Sequence, residues 1–496
     1  MKKIKFIALG VFALLVGCED ATDIVQPGEF LEPAAFQNVD DLQAGIFGVY
    51  SSLDNSAVIS FTSIFTDEVS IGRANGGQGV TNDAVHLYNL TPNTGAISGI
   101  WYNTYSFINR ANRLLAAADA ITPEMGEEDA YNQVRAEALA MRAFGHAQLM
   151  TFYSEDLTDP SSTGIVNVDF VPELGAVLPR NTVGENLTFI YDDLNQAESL
   201  FLGLNSPVMN PSRIFINEDF VRALRGRVAL YTENYPVAED MADLLLADYS
   251  VSSRTNFPAV WADQSTDGII FKAERVDGNG AIGGVWNTNN STAGGAPVYE
   301  LSREVFNTLD NNPNDVRRTT YVDPTSVISP TYMTDVNPRF TDILVIDKYP
   351  GDPSLSSVLI NDLKIFRAAE FRFVKAEARI NDMDLTGAAN EIKAIRDNRY
   401  GSPAALPVYA NAQEAWADVL AERRLELYLE GHRYIDVSRL ASKAGVTGYD
   451  RDDTDCSIAG LANCDLSVTE TIAQYWPIPQ NEVSATNNVV TQNDGY

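Results

Sequence analysis

From Phe36 onward, apolar residues return every third or fourth position over long runs, which is the period of amphipathic helices. In AFQNVDDLQAGIFGVYSSL, residues Leu42, Ile46, Val49, Tyr50 and Leu53 share one face. WYNTYSFINRANRLLAAADA keeps the period through Trp101, Tyr105, Ile108, Asn112 and Leu115, and Glu127 to Tyr153 predicts another long helix. Thr182 with Glu185 three residues later has capping-box form and predicts a helix start. Asp219 to Thr232 and Pro236 to Ala247 predict an antiparallel pair turned at Asn234-Tyr235-Pro236, with proline near the first helical position. Further helices are predicted at Leu363 to Ile380, at Thr386 to Arg399 and from Ala412. Strand signals are few; Gly268 to Lys272 and Ile343 to Lys348 predict one small hairpin. The fold class is therefore mainly α, with helical pairs at spacings of roughly 30–45 residues packed as in tetratricopeptide repeats.

Two regions abandon the helical period. Thr66 to Ser98, with GRANGGQG inside it, and Val251 to Pro297, with DGNGAIGGVWNTNNSTAGG, are polar and glycine-rich. Connections of that length in a compact domain are usually functional. A third stretch, ERRLELYLEGHRYIDVSRL at residues 422–440, mixes charge with large apolar residues. Arg423 and Glu426 stand three apart, and Glu430, Arg433, Asp436 and Arg439 alternate in sign every third residue, so neighbouring pairs on a helix surface are expected. Gly431 is expected to interrupt or bend the helix. So many charges among large apolar groups predict partly buried ion pairs that lock the fold, in preference to a catalytic carboxylate cluster.

This stretch resembles the ERR-x-EL-x-x-EG-x-R-x-x-D-x-x-R signature of SusD/RagB-type outer-membrane glycan-binding lipoproteins, where the segment is architectural. The resemblance continues in the family's order over nearly the whole chain. FVRALRGRVALYTENYPVAEDMADLLL is similar to the family's mid-chain helix pair, and LSREVFNTLDNNPNDVRR to its segment ending in an Asp-x-Arg pair. IFRAAEFRFVKAEARI and EIKAIRDNRYG are similar to two successive helices. WPIPQNEVSATNNVVTQNDGY is similar to the family's ending, with Asp494 where proline is usual. The resemblance implies a tetratricopeptide-like right-handed helical superhelix with long irregular loops and at most a few short strands. It implies an N-terminal helical part over 36–250 and a loop-rich, then helical part over 251–496, packed as one globular unit. It further implies a cell-surface lipoprotein without cofactor or catalysis. Such a protein captures an oligo- or polysaccharide and passes it to a SusC-type TonB-dependent transporter.

Composition sharpens this picture. A formal charge of −32 repels phosphate backbones, so nucleic acid is not the expected partner. Lys2, Lys3 and Lys5 precede a short apolar run, Phe6 to Val16, which reads as a signal peptide over 1–17. Leu15-Val16-Gly17-Cys18 resembles a bacterial lipobox, so Cys18 is the expected lipidation site, followed by a linker over 18–35. Glu19 and Asp20 resemble the acidic signal that sends such lipoproteins to the cell surface, so the expected location is the outer membrane, facing outward. Cys456 and Cys464 share a polar loop and could pair in an oxidising compartment. Zinc is disfavoured, because His86, His146 and His432 lie far from both thiols.

No Gly-x-Ser-x-Gly elbow, Walker loop or His-Glu-x-x-His occurs. His146 reads as a satisfied core residue, and DRDDTD at 450–455 as a solvated acidic loop in preference to a calcium site. Sugar recognition needs flat apolar faces for pyranose C–H groups, with amides, carboxylates or guanidinium groups for the hydroxyls. The first polar region offers Asp67, Arg73, Asn75, His86, Tyr88 and Asn89; the second offers Trp286, Asn287, Asn289, Asn290 and Tyr299. Of these, Asp67, Arg73, Asn75, Tyr88, Trp286, Asn287, Asn290 and Tyr299 form the candidate glycan site. Trp286, amid glycines and asparagines, is either a ligand platform or an anchor plugging its loop into the helices. Trp101, Trp261, Trp416 and Trp476 fall at helix or motif positions and read as core. A surface glycan hydrolase and a helical protein-binding scaffold remain as alternative functions.

Overall fold

Several of the helices begin where a side chain takes up a free amide. The computed structural model describes residues 35–72, 85–286, 297–334, 339–461 and 464–496. Asn38 caps α1 (Val39–Tyr50) by accepting from the Asp41 amide, and α2 (Ser56–Phe65) follows after a short corner. Then come the long helices α3 (Gly95–Asp119) and α4 (Glu128–Tyr153). The reciprocal Thr182/Glu185 capping box opens α5 (Val183–Leu202) as predicted. α6 (Glu218–Tyr231) and α7 (Tyr235–Asp248) form the predicted pair, with Pro236 in the first turn of α7. The second half adds α8 (Arg303–Asp310), α9 (Val316–Tyr321), α10 (Ala368–Asn381), α11 (Leu385–Asp397), α12 (Ala412–Glu426) and α13 (Arg433–Ala444).

Neighbours in sequence pack on one another: α3 on α4, α4 on α5, α6 on α7, α10 on α11 and α12 on α13. The fold is mainly helical and tetratricopeptide-like. α10 also packs on α7, so the second half of the chain continues the helical layers of the first. One cluster of buried apolar residues runs from Leu42 to Val490.

Among the described residues the strands form three two-stranded ladders. β1 (Val69–Ser70) pairs with β3 (Glu300–Leu301), β2 (Ile269–Ala273) with β4 (Leu363–Arg367), and β5 (Gly448–Asp450) with β6 (Asp465–Ser467), all antiparallel. Two sequence expectations are corrected here. The partner of 269–273 is not 343–348, where Ile343 and Ile346 make only isolated bridges to Val327 and Val322. The partner is the segment read as the first turns of a helix. All five residues of β2 and of β4 are buried, so neither alternates, and a short fully buried strand carries no period distinguishing it from a helix.

The 422–440 stretch is a helix–turn–helix. α12 stops at Glu426, and Leu429 and Gly431 turn the chain with φ of +56° and +90° before α13 starts at Arg433. Its charges are buried and paired, but mostly not with each other. Glu426 accepts from Arg399 at 2.7 Å and Arg367 at 3.0 Å, and Arg317 lies 3.5 Å away. Glu422 is held between Arg317 at 2.7 Å and Arg396 at 2.6 Å. Arg423 lies 2.8 Å from Asp436 and 3.2 Å from Glu377. Glu430 takes Lys348 at 2.6 Å and Arg367 at 2.7 Å. Of the predicted alternating series only Asp436–Arg439, at 3.3 Å, forms as expected. The Gly431 turn puts Glu430 off the surface of α13, so Glu430 and Arg433 each find a distant partner. Burial pushes the Glu426 carboxyl up, yet Arg399, Arg367 and Arg317 together hold it well below the usual range. Burial lowers the Lys348 ammonium to about 8 despite the attraction of Glu430.

The acidic run 450–455 is also not a solvated loop. Asp452 caps a short helix at Asp453–Ala459 through the Thr454 amide, and buried Asp455 binds the Arg303 guanidinium and amide. Asp452 and Asp455 each meet a specific donor, which composition does not reveal, while Asp450 and Asp453 are exposed. Cys456 and Cys464 are joined as a disulfide with Cα atoms 5.9 Å apart.

Candidate functional site

The two polar regions, about 150 residues apart in sequence, are brought together at the β1–β3 ladder. Val69 lies opposite Leu301 and Ser70 opposite Glu300. In an antiparallel pair the chain after one strand and the chain before the other leave the same end. The stretch after Gly72 and the stretch before Tyr299 therefore attach side by side. Gly72 itself is required: a Cβ there would lie 1.5 Å from the Glu300 carboxylate. At the far end of the first region, the His86 ring lies 6.2 Å from that of Tyr299. The two regions are thus joined at both ends of the first one.

Cations from the second half of the chain hold this base. Arg451, 3% exposed, donates to the carbonyls of Phe65 and Thr66 at the entry of the first region and of His86 at its exit. Its guanidinium also covers the Tyr88 ring at 4.2 Å. Arg433 grips Asp67 through two bonds of 2.7 Å, and Arg424 donates to the Asp67 carbonyl at 2.7 Å and to Glu304 at 2.7 Å. Just after the other strand, Arg303 at the start of α8 binds Asp455 and the carbonyls of Arg339 and Asp342. Leu344 extends the ladder, with its carbonyl accepting from Leu301 and its amide donating to Glu300.

The electrostatics follow from burial. Desolvation pushes the Asp67 carboxyl up, but Arg424 and Arg433 outweigh it and hold Asp67 well below the ordinary range. Next to it, Glu68 has only the Leu429 amide on one oxygen, and burial raises it to about 7. His86 is lowered to about 3 by burial and by Arg451. His146 is also lowered to about 3 by burial; its ring bonds the Arg142 carbonyl and accepts the Val168 amide, as expected for a core histidine. His432, bonded to Tyr231, is lowered by burial as well. All three histidines of the chain are thus buried and neutral at ordinary pH.

Several expected ligand contacts prove to be foundations. Asp67 is 1% exposed and its carboxylate is committed to Arg433. Trp286 is fully buried and stacks on Tyr349 at 5.5 Å, so it anchors its loop and offers no face to solvent. Tyr299 is buried at the ladder. In each case the residue is adjacent to a strand or turn that must pack before a loop can start, and packing claims the large side chain. Tyr88 is half-buried, with its hydroxyl 3.5 Å from the Cys464 carbonyl and φ of +55°. Arg73, Asn75, Asn287 and Asn290 lie outside the described residues, as does Cys18. Trp101, Trp261, Trp416 and Trp476 are core, as read. Sequence reasoning missed Arg451 and Arg303. For Arg451 the available signal was a lone cation within an acidic run, which, if buried, must find carbonyls; Arg303 carried no such mark.

Comparison with known proteins agrees with this architecture. The profile of the SusD family matches residues 287–496, and a profile described as starch-binding, associating with outer membrane, matches residues 23–213. A SusD-like protein of Formosa agariphila is 24% identical over 90% of this chain and 94% of its own length. The crystal structure of a SusD superfamily protein from Bacteroides thetaiotaomicron superposes with a TM-score of 0.74 at 20% identity, covering 92% of this chain and all of that one. A SusD-like carbohydrate binding protein from Bacteroides vulgatus superposes with a TM-score of 0.71 at 17% identity, covering 93% of this chain and 100% of the other. The helical layers, the buried ion-pair stretch and these matches lead to one conclusion: the chain belongs to the SusD/RagB family.

Proposed function

We propose that this protein is a cell-surface lipoprotein, anchored in the outer membrane through Cys18, that binds an oligo- or polysaccharide and delivers it to a SusC-type TonB-dependent transporter. The observation that carries the reading is the β1–β3 ladder, which joins two regions of sugar-binding chemistry at one edge of a rigid helical scaffold. Arg73, Asn75, Asn287 and Asn290 supply donors and acceptors for hydroxyls. The family profile described as starch-binding, and the carbohydrate binding protein of the same fold, support the same ligand class. The reading is of capture without cleavage: each histidine is buried and neutral, and Asp67 is consumed by an ion pair. Among the described residues no helix is long and apolar enough to cross a membrane, which is compatible with attachment by lipid.

Affinity electrophoresis of the purified protein against a glycan panel tests the ligand class. One glycan should retard the wild type, and Arg73→Ala with Asn287→Ala should weaken that retardation at least tenfold. Turnover of the bound glycan would favour a hydrolase; silence toward every glycan would favour a protein-binding scaffold. Cys18→Ala should release the protein from the membrane fraction in cells lacking the transporter, and retention there would sink the lipid-anchor reading. Co-purification of the wild type with a TonB-dependent transporter tests the delivery step.

A further inference from the structure

A second site is built at the other end of α2. The corner between α1 and α2, residues 51–57, stands over the stripe Asn103, Ser106 and Arg110 of α3. These three recur at helical spacing on a face that the sequence presents as ordinary solvated surface. The corner converts that face into a cleft of about 360 Å³, closed below by Phe107 and Phe144 and at the side by Gln148 of α4. The ladder follows the C-terminus of α2, and this cleft lies at its N-terminus, roughly 15 Å away at 1.5 Å per residue.

The cleft is preformed. Arg110 donates to the Gly48 carbonyl at 3.3 Å on one side of the corner, and Arg275 pairs with Asp54 at 2.7 Å on the other. Its polar groups keep spare capacity: the Asn103 amide and the Ser106 hydroxyl have no hydrogen-bond partner among the described residues. Gln148 uses only its amino group, on Thr104 at 3.4 Å. Amides and hydroxyls both donate and accept, as sugar hydroxyls do, and the buried phenyl rings offer an apolar floor for C–H faces. Asp54 and Arg110 roughly balance in charge, in a protein of formal charge −32. The volume lies at the small-ligand end of binding-site sizes.

We propose that this cleft is a second carbohydrate site, taking one or two neutral sugar units and independent of the paired loops. The inference rests on the glycan reading above for its ligand class, and on the cleft alone for its place. The probes are glucose, galactose, mannose, xylose and N-acetylglucosamine at millimolar concentration. Saturation-transfer NMR on the full-length protein, in a detergent without sugar headgroups, reads their binding. At least one sugar should receive transfer. Ser106→Trp, at an exposed position, should fill the cleft and weaken that sugar at least tenfold with an unchanged melting curve. Asn103→Ala should weaken it several-fold, and decides the matter if Ser106→Trp fails to fold. The loop variant Asn287→Ala with Asn290→Ala should leave it unchanged. Transfer to none of the five sugars, or wild-type transfer in the folded cleft variants, overturns the proposal. Loss of long-glycan binding in the loop variant, with no sugar in the cleft, removes the cleft and leaves the loop reading standing. A sugar lost only in the cleft variants, with no long glycan bound, does the reverse.

Discussion

Two regions of this protein are dense in charged and amide side chains, and the fold treats them oppositely. In the helix–turn–helix at 422–440, Glu422, Arg423 and Glu426 are 1% exposed or less, and every one is neutralised by groups from other segments of the fold. In the polar regions that meet at the β1–β3 ladder, the described residues Asp67 and Trp286 are drawn in. The difference is the company each region keeps. Large apolar residues interleaved at helical spacing pull the first region inside, and its charges must then pair or the burial is lost. Glycine and asparagine cannot supply that pull, so in the second region it comes from the few large side chains such as Trp286. Arg433 ties the two together, since it belongs to the first and grips Asp67 in the second.

The strongest way to break this comparison is Glu426→Ala. Three guanidinium groups, Arg317, Arg367 and Arg399, would lose a shared partner in a buried site. The expected loss is about 3–5 kcal/mol or more of stability, read as a lowered denaturation midpoint. A near-wild-type midpoint would mean that water reaches these charges. Trp286→Ala comes next. As a buried aromatic stacked on Tyr349 it should cost about 3–5 kcal/mol of stability. A variant with wild-type melting but lost glycan binding would restore Trp286 as a platform.

Smaller and pH-dependent effects come from Glu68 and Glu137, both raised to about 7 by burial. An unfolded glutamate titrates near 4.3. Between those values the folded state binds more protons than the unfolded one, so stability falls as pH rises from about 4.5 through 7. Each group should contribute on the order of 2–4 kcal/mol to that fall, at ~1.4 kcal/mol per pKa unit. Glu137→Gln keeps an acceptor for Tyr50 and should flatten the curve, gaining stability above pH 7. An unaltered pH profile of chemical denaturation in that variant would show the carboxyl to be ionised and solvated. The smallest effect on stability belongs to the loops. If Asn287 and Asn290 serve a ligand and not the core, Asn287→Ala with Asn290→Ala should move the midpoint by no more than about 0.5 kcal/mol. A large loss would place those amides with the foundations.

Periodicity alone determined a great deal here: the helical class, the capped start at Thr182, the pair across Asn234 and the buried charge of the 422–440 stretch. These depend on neighbours within one or two turns, and such spacing is written in the chain. The two long glycine- and asparagine-rich connections were also legible, because they stand out against that period. Which residues within them face outward was not legible. The pairing of β1 with β3, the choice of β4 as partner of β2, and the commitment of Asp67 to Arg433 link segments from roughly a hundred to several hundred residues apart. So does the clamp of Arg451 on both ends of the first polar region. A charge or a tryptophan has no local mark saying which distant partner will claim it. Only the packed tertiary structure decides that, because the cost of leaving the group buried and unpaired arises after the helices have closed around it.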